Sequence, residues 1–280
     1  MTDAIVPSDS SGVERRIRQD LEALREPKSR RRFKKLFLAA LGSVPWVGGF
    51  LSGVASLRDE EKQGKANELH REWLEEHGQK FVHLGETLGG ITDRLEQFGD
   101  EVQQRIESPE YLGLVRKAFR AWDKADTQEK RDLIRKLLSN AGASTLVPDD
   151  LVALFIEWID TYNEAHFKVI RVIYQYPGCT RADIWDQIHG TEVREDSAEA
   201  DLFKLLIRDL STGSVIRQVR ATDGSGRFLR KPPARTKRGQ ASPYMKSAFD
   251  DKEQYVLTEL GDKFVHYTME EVVPRIGGAQ

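Results

Sequence analysis

A long apolar segment near the start of the chain contrasts with the frequent charges elsewhere. Residues 36–57 are 22 consecutive positions without an acidic or basic side chain. A proline costs about 3 kcal/mol in a helix interior and a glycine up to about 1 kcal/mol, and the segment contains Pro45 and four glycines. Two short apolar helices are therefore at least as compatible with the pattern as one straight helix. We call these two arms together the apolar hairpin, residues 36–57. The tip of this hairpin would be Pro45, Trp46, Gly48 and Gly49.

A basic cluster immediately before the apolar segment leaves three interpretations open. The segment is long enough for a permanent membrane span, since about 20 residues cross a bilayer. It also fits the buried centre of a helical bundle, or a segment that is buried at rest and inserts on activation. Each basic residue near an anionic surface contributes about 1 kcal/mol of attraction. The expected membrane-binding residues are the four tip residues with Lys28, Arg30, Arg31, Arg32, Lys34 and Lys35.

The next segment has a heptad pattern of apolar residues, with steps of 4, 3, 4, 3 and 4 positions. Such a seam requires a facing helix, either in the same fold or in a second chain. The second possibility predicts a dimeric scaffold protein. The expected oligomer seam consists of Leu84, Leu88, Ile91, Leu95, Phe98 and Val102.

Capping residues predict the helices that follow. Ser108 with Pro109 begins a helix to about residue 124. Thr127 caps another helix that runs to about residue 138 and stops at 140–142, because asparagine and glycine commonly end helices. Pro148 opens one long helix to about residue 176.

The pattern changes after residue 177. Thr180 caps a short helix, a third helix covers about 197–210, and residues 214–219 and 254–258 alternate like strands. A basic loop, 221–251, separates the strands, and a helix begins at about residue 259. The predicted fold class is mainly α: a disordered tail at 1–12, a helical bundle at 13–147, and a winged helix-turn-helix domain with a small β-wing at 148–276.

Composition and motifs exclude several classes of protein. The 43 basic and 45 acidic residues nearly balance, so there is no global attraction to polyanions. A single cysteine, Cys179, fits a reducing cytoplasm, with association at the inner membrane as an alternative. The zinc-protease motif HExxH, the phosphate loop GxxxxGK[ST] and the elbow GxSxG are all missing from the sequence. We therefore expect a protein that is not an enzyme and uses no metal or cofactor.

Charge is distributed unequally within the predicted winged helix. The start of its third helix, residues 192–201, contains five acids and one arginine, which disfavours contact with phosphates. The basic wing contrasts with it and could bind a nucleic-acid backbone, an anionic membrane or an acidic partner protein. The expected nucleic-acid or partner-binding residues are Arg217, Arg220, Arg227, Arg230, Lys231, Arg235, Lys237 and Arg238.

Three segments together resemble a known bacterial family. They are "YLGLVRKAFRAWDKADTQEKRDLIRKLLSNAGAS", "FIEWIDTYNEAHFKVIRVIYQYPG" and "YVLTELGDKF", and over residues 108–265 they look like the Abi-alpha-like family linked to abortive infection. The last fragment also resembles the turn from wing to final helix in bacterial winged-helix domains. The resemblance implies an anti-phage setting and transfers no active-site residue. It favours a non-enzymatic effector or adaptor that acts through protein contacts or self-association and by regulated membrane insertion. The alternative is a nucleic-acid-binding regulator.

Overall fold

The computed structural model describes residues 32–53, 68–191, 193–229 and 247–269. Several predictions lie outside these residues: the tail at 1–12 and the site residues Lys28, Arg30, Arg31, Arg230, Lys231, Arg235, Lys237 and Arg238. The described residues fall into two units, which divide between Asp160 and Thr161. Each unit is described by itself.

Unit 1 is entirely helical in its described part. Two short helices, α1 and α2, are followed by one long helix and a set of shorter ones. The bounds are α1 Lys34–Leu41, α2 Pro45–Gly53, α3 Glu68–Glu96, a 3₁₀ turn at Gly99–Val102, α4 Gln103–Ile106, α5 Pro109–Lys124, α6 Gln128–Ala143 and α7 Asp149–Thr161.

The apolar segment bends earlier than predicted. The break lies at residues 42–44, and Pro45 is the first residue of α2, where its missing N–H removes no hydrogen bond. Trp46, Gly48 and Gly49 lie inside α2, so the prediction that these residues form the tip was wrong. The two helices meet at 94°, which makes a corner. No helix in the described ranges has the length and apolarity to cross a bilayer alone, although this bent pair passes the same test when taken together.

The heptad seam is covered inside unit 1. Five of its six residues are at most 3% exposed and only Phe98 is half-buried. The facing helix is α6, which packs extensively against α3. The helix itself ends at Glu96, before the last two seam positions, and Gly99 follows with a φ of +59°. The partner helix that the seam requires is therefore found in the same chain.

Two helix boundaries differ from the predictions. Helix α6 continues through 140–142 to Ala143. Gly142 does not end the helix but allows close packing, since a Cβ atom there would lie 2.8 Å from the Tyr111 hydroxyl and 2.9 Å from Leu95 Cδ2. The expected long helix at 148–176 is broken at Tyr162. Asn163 caps the next helix by accepting a hydrogen bond from the His166 amide.

Unit 2 contains four helices and a small antiparallel sheet in its described part. The elements in chain order are α8 Glu164–Gln175, β1 Cys179–Thr180, α9 Arg181–Ile188, α10 Ala198–Thr212, β2 Ile216–Gln218, β3 Gln254–Leu257 and α11 Glu259–Thr268. The strand order is β1-β3-β2. Tyr255 pairs with both Cys179 and Gln218. The prediction of a mainly helical protein with a small sheet is confirmed, and the two-residue strand β1 is an addition.

Candidate anion-binding groove

A groove of about 530 Å³ lies in unit 2 where β2 meets the last turn of α10 and the first turn of α9. Four of the described residues that line it are arginines, and none is acidic. Three of these arginines are exposed and the fourth, Arg181, is half-buried. The lining residues used below are Arg181, Arg208, Ser211, Arg217, Arg220, Phe228 and Tyr255.

Local structure brings the four arginines together from separate parts of the chain. Arg181 is the first residue of α9, directly after its cap Thr180, whose hydroxyl accepts from the Asp183 amide at 3.2 Å. Arg208 lies on the last turns of α10, on the same face as Ser211 at i+3. Arg217 is in β2 and Arg220 follows that strand.

Tyr255 fixes the position of Arg181. The Arg181 Nε donates a hydrogen bond to the Tyr255 hydroxyl at 3.0 Å, and its guanidinium carbon lies 5.6 Å from the centre of the tyrosine ring. Gln218 Nε2 donates to the same hydroxyl at 3.3 Å. Because Tyr255 is only 2% exposed, the guanidinium rests on a rigid support, and less conformational entropy is lost when it binds an anion.

The segment that follows β2 places Phe228 beside two of the arginines. The guanidinium carbons of Arg217 and Arg220 lie 5.4 and 6.0 Å from the centre of the Phe228 ring, within the range of a cation–π interaction. Phe228 is nonetheless 49% exposed. It forms an isolated bridge with Thr222, and the Leu229 amide donates to the Ala221 carbonyl at 2.8 Å.

Hydrogen bonds in a turn at Asp223 hold this segment in place. The Asp223 carboxylate accepts hydrogen bonds from the Ser225 hydroxyl at 2.7 Å and from the Arg227 amide at 2.9 Å. These bonds hold the pKa of Asp223 below its usual range, the Ser225 bond contributing most. Asp223 is the only acid between Arg217 and Arg238, and its carboxylate is thus occupied by the turn.

The acids at the other end of α10 have structural partners. Glu195 accepts hydrogen bonds from the Ser247 hydroxyl and from the Ala248 amide, which lies 2.9 Å away. Burial tends to raise the pKa of Glu195, but these bonds and Lys204 outweigh it, so the pKa is lowered. Asp196 forms a two-bond ion pair with Arg194, which lowers the pKa of Asp196. Glu195, which lies just before α10, therefore anchors the segment that returns toward β3.

The sequence-based choice of site residues agrees with this groove only in part. Arg217 and Arg220 line it, whereas Arg227 is exposed on the wing turn and is not part of the lining. Arg181 and Arg208 were missed, because they lie outside the basic segment 217–238 from which the site residues were chosen. The signals available were a basic residue directly after the Thr180 cap and a basic-polar face at the end of α10.

Several of the predicted membrane-binding residues of unit 1 form polar contacts within the unit. Arg32 donates to Gln103 Oε1 at 2.7 Å, and Lys35 lies 2.5 Å from Glu107. Trp46 Nε1 donates to Asp123 Oδ1 at 2.6 Å. Lys34 is exposed. The bent pair also exposes Leu38 by 62% and Leu51 by 39%, although Leu36, Val44, Val47 and Phe50 are buried.

The described residues contain no cluster of three or more side chains that could hold a metal ion. Burial, with a contribution from Asp183, raises the pKa of the Cys179 thiol to about 11, so it stays protonated at neutral pH. A smaller polar cleft of about 190 Å³ between α3 and α6 is lined in part by Arg94, Arg135 and Lys136.

Comparisons of the chain with family models, curated proteins and solved structures find no match. The resemblance to the Abi-alpha-like family therefore stays a prediction from the quoted segments.

Proposed function

We propose that unit 2 is a winged helix-turn-helix domain that binds the phosphate backbone of nucleic acid. Its order of elements, a helix, a short strand, two helices and two antiparallel strands around a wing, followed by a closing helix, supports this assignment. The helix in the position of a recognition helix is α10, and the groove lies at its carboxyl end.

The observation that carries the proposal is the convergence of four arginines on one groove whose described lining contains no acid. Guanidinium groups form paired, charge-assisted hydrogen bonds to phosphate oxygens. Electrostatic contacts of this kind supply most of the affinity of non-specific nucleic-acid binding. The acidic start of α10 argues against base reading by that end of the helix, so the contacts we propose are to the backbone.

The salt dependence of binding tests this proposal on the full chain. Four phosphate contacts correspond to a slope of about −3 for log K against log salt concentration. Replacing Arg208 and Arg217 together by glutamine should make the slope shallower by about 1.5. The control is Arg194→Gln with Lys263→Gln, which removes the same charge from residues of unit 2 that do not line the groove. Equal slopes for the two double variants would refute the groove as the binding site.

A second candidate function concerns unit 1, and the exposure of Leu38 and Leu51 beside the exposed Lys34 favours it. The proposal is that the outer side of the bent pair associates with an anionic membrane, through apolar burial and headgroup attraction. Sedimentation with vesicles of phosphatidylcholine and phosphatidylglycerol tests it. Leu38→Glu should reduce vesicle binding, while Leu146→Glu, at a leucine of unit 1 that is 67% exposed, should not. If both variants bind like the wild type, this candidate fails. The defence role stays a prediction from the family resemblance.

A further inference from the structure

We infer that the groove takes a single strand of nucleic acid and that one base stacks at Phe228. This inference rests on the proposed backbone binding and adds the class of nucleic acid.

The first observation is an aromatic ring that stays exposed beside a set of cations. Phe228 leaves 49% of its surface accessible, although a large apolar side chain gains roughly 1.5–3 kcal/mol from full burial. The bridge to Thr222 and the Asp223 turn hold the wing where it presents the ring. Phe228 therefore has the surroundings of a contact residue for a flat ligand.

The second observation is that the Phe228 ring lies next to two positively charged guanidinium groups. Arg217 and Arg220 both lie within 6.0 Å of the ring centre. A nucleotide carries its negative phosphate and its flat base a short distance apart. The arginines can therefore contact the phosphate while a base lies against the ring or against a guanidinium plane.

The third consideration separates a single strand from a duplex. Inside a duplex both faces of each base are covered by neighbouring bases. A protein ring can then reach a base only by unstacking it, at a cost of a few kcal/mol. A single strand offers a free base face without that cost, and aromatic platforms beside a basic groove are the common solution for binding it. The acidic start of α10 also disfavours the entry of that helix end into a major groove.

The test compares four probes on the full chain: a 12-residue thymidine strand, its abasic equivalent with the same phosphates, a 12-residue uridine strand and a 12-base-pair duplex. The thymidine strand should bind more tightly than the abasic strand and the duplex. Stacking contributes about 1–3 kcal/mol per base. Phe228→Ala should therefore lower the affinity for the thymidine strand by roughly 5- to 150-fold. Phe228→Tyr keeps an aromatic ring and should retain binding.

The abasic strand distinguishes lost stacking from displaced arginines. Phe228→Ala should leave abasic binding unchanged, because no base is present. An equal loss on the abasic strand, or a duplex that binds at least as tightly as the thymidine strand, would overturn the inference and leave the backbone proposal standing. Failure of every probe to bind in a salt-dependent way would remove the backbone proposal itself. Tighter binding of the uridine strand would assign the site to RNA, and tighter binding of the thymidine strand to DNA.

Discussion

We expect the replacement of Gly261 by alanine to destabilise unit 2. Gly261 lies in the first turn of α11, and its amide donates to the Thr258 hydroxyl at 3.0 Å. A Cβ atom at this position would lie 2.2 Å from the Val215 carbonyl oxygen and 3.1 Å from its carbon. The obstacle is backbone at the start of β2, so it cannot be relieved by rotating a side chain. Gly261→Ala therefore has to push α11 away from the sheet.

The expected cost follows from the contacts that this movement disturbs. Non-bonded carbon atoms normally approach to about 3.5–4.0 Å, so the helix start must move by roughly 1 Å. The Thr258 amide donates to the Val215 carbonyl at 2.9 Å, and the Thr258 hydroxyl donates to the Ser214 carbonyl at 2.6 Å. Overpacking costs about 1–3 kcal/mol and a weakened hydrogen bond about 1 kcal/mol. Against this, alanine in a helix gains up to about 1 kcal/mol over glycine. The net loss should be about 2 kcal/mol, or roughly 10 °C in Tm for a domain of this size.

Hydrogen exchange followed by mass spectrometry can locate the effect, because peptides from the two units are read separately. Gly261→Ala should increase exchange in α8, α10 and α11 and leave α5 and α6 unchanged. The matched control is Gly113→Ala, since Gly113 is exposed on α5 and a Cβ atom there meets nothing within 4 Å. That variant should slow exchange in unit 1, by up to about 1 kcal/mol of opening free energy. Unchanged or slower exchange in unit 2 for Gly261→Ala would refute the proposed steric conflict.

Three further predictions use local features of the fold. Asn163→Ala should lower the free energy of unfolding of unit 2 by about 1 kcal/mol in urea, because α8 loses its cap; equal stability would contradict this role. Asp183 accepts hydrogen bonds from the amide and from the hydroxyl of Thr180, and these bonds, the amide bond most strongly, lower the pKa of Asp183. The ionised Asp183 therefore stabilises the fold at pH values above the unfolded pKa of about 3.9. That contribution is lost as pH falls through the folded value, and the thermal stability difference between wild type and Asp183→Asn should be smaller at pH 3 than at pH 7; a constant difference would refute it. Ile91→Asp should unfold unit 1, because Ile91 is fully buried; a folded variant of lower mass than the wild type in light scattering would instead establish the seam as an oligomer interface.

Helix starts were predictable because the chemistry of a cap is local. Ser108, Thr127 and Thr180 each accept a hydrogen bond from the amide three residues ahead, and the sequence shows each capping residue directly before its helix. The same local reasoning was wrong at Gly142, where glycine allows the Tyr111 ring to approach. Nothing in the neighbouring sequence distinguishes a glycine that ends a helix from one that admits a residue 31 positions away.

Only two of the four arginines of the groove were predicted from the sequence, because the other two reach it through long-range pairing. Arg217 and Arg220 belong to a basic segment that composition reveals. Arg181 reaches the same place because β1 pairs with β3 and sets Thr180 opposite Gln254. A two-residue strand is too short to show any periodicity, so its pairing has no signature in the sequence. Arg208 depends in turn on where α10 ends against β2.

The two ends of α10 differ in charge, and this difference affects where nucleic acid can bind. Glu199 and Asp201 lie in its first turn, where the helix dipole favours acidic side chains, whereas Arg208 lies nearer its other end. The acids that disfavour nucleic-acid binding at the start of α10 therefore help to stabilise the helix, and Glu195 just before it holds the returning segment. Their repulsion is also local, because charges more than about 8 Å apart at the surface are largely screened at physiological salt. An acidic start of α10 consequently argues against base reading by that end, while Arg208 near its other end, exposed and 3.5 Å from Asp209, can still contact phosphate together with Arg217 and Arg220.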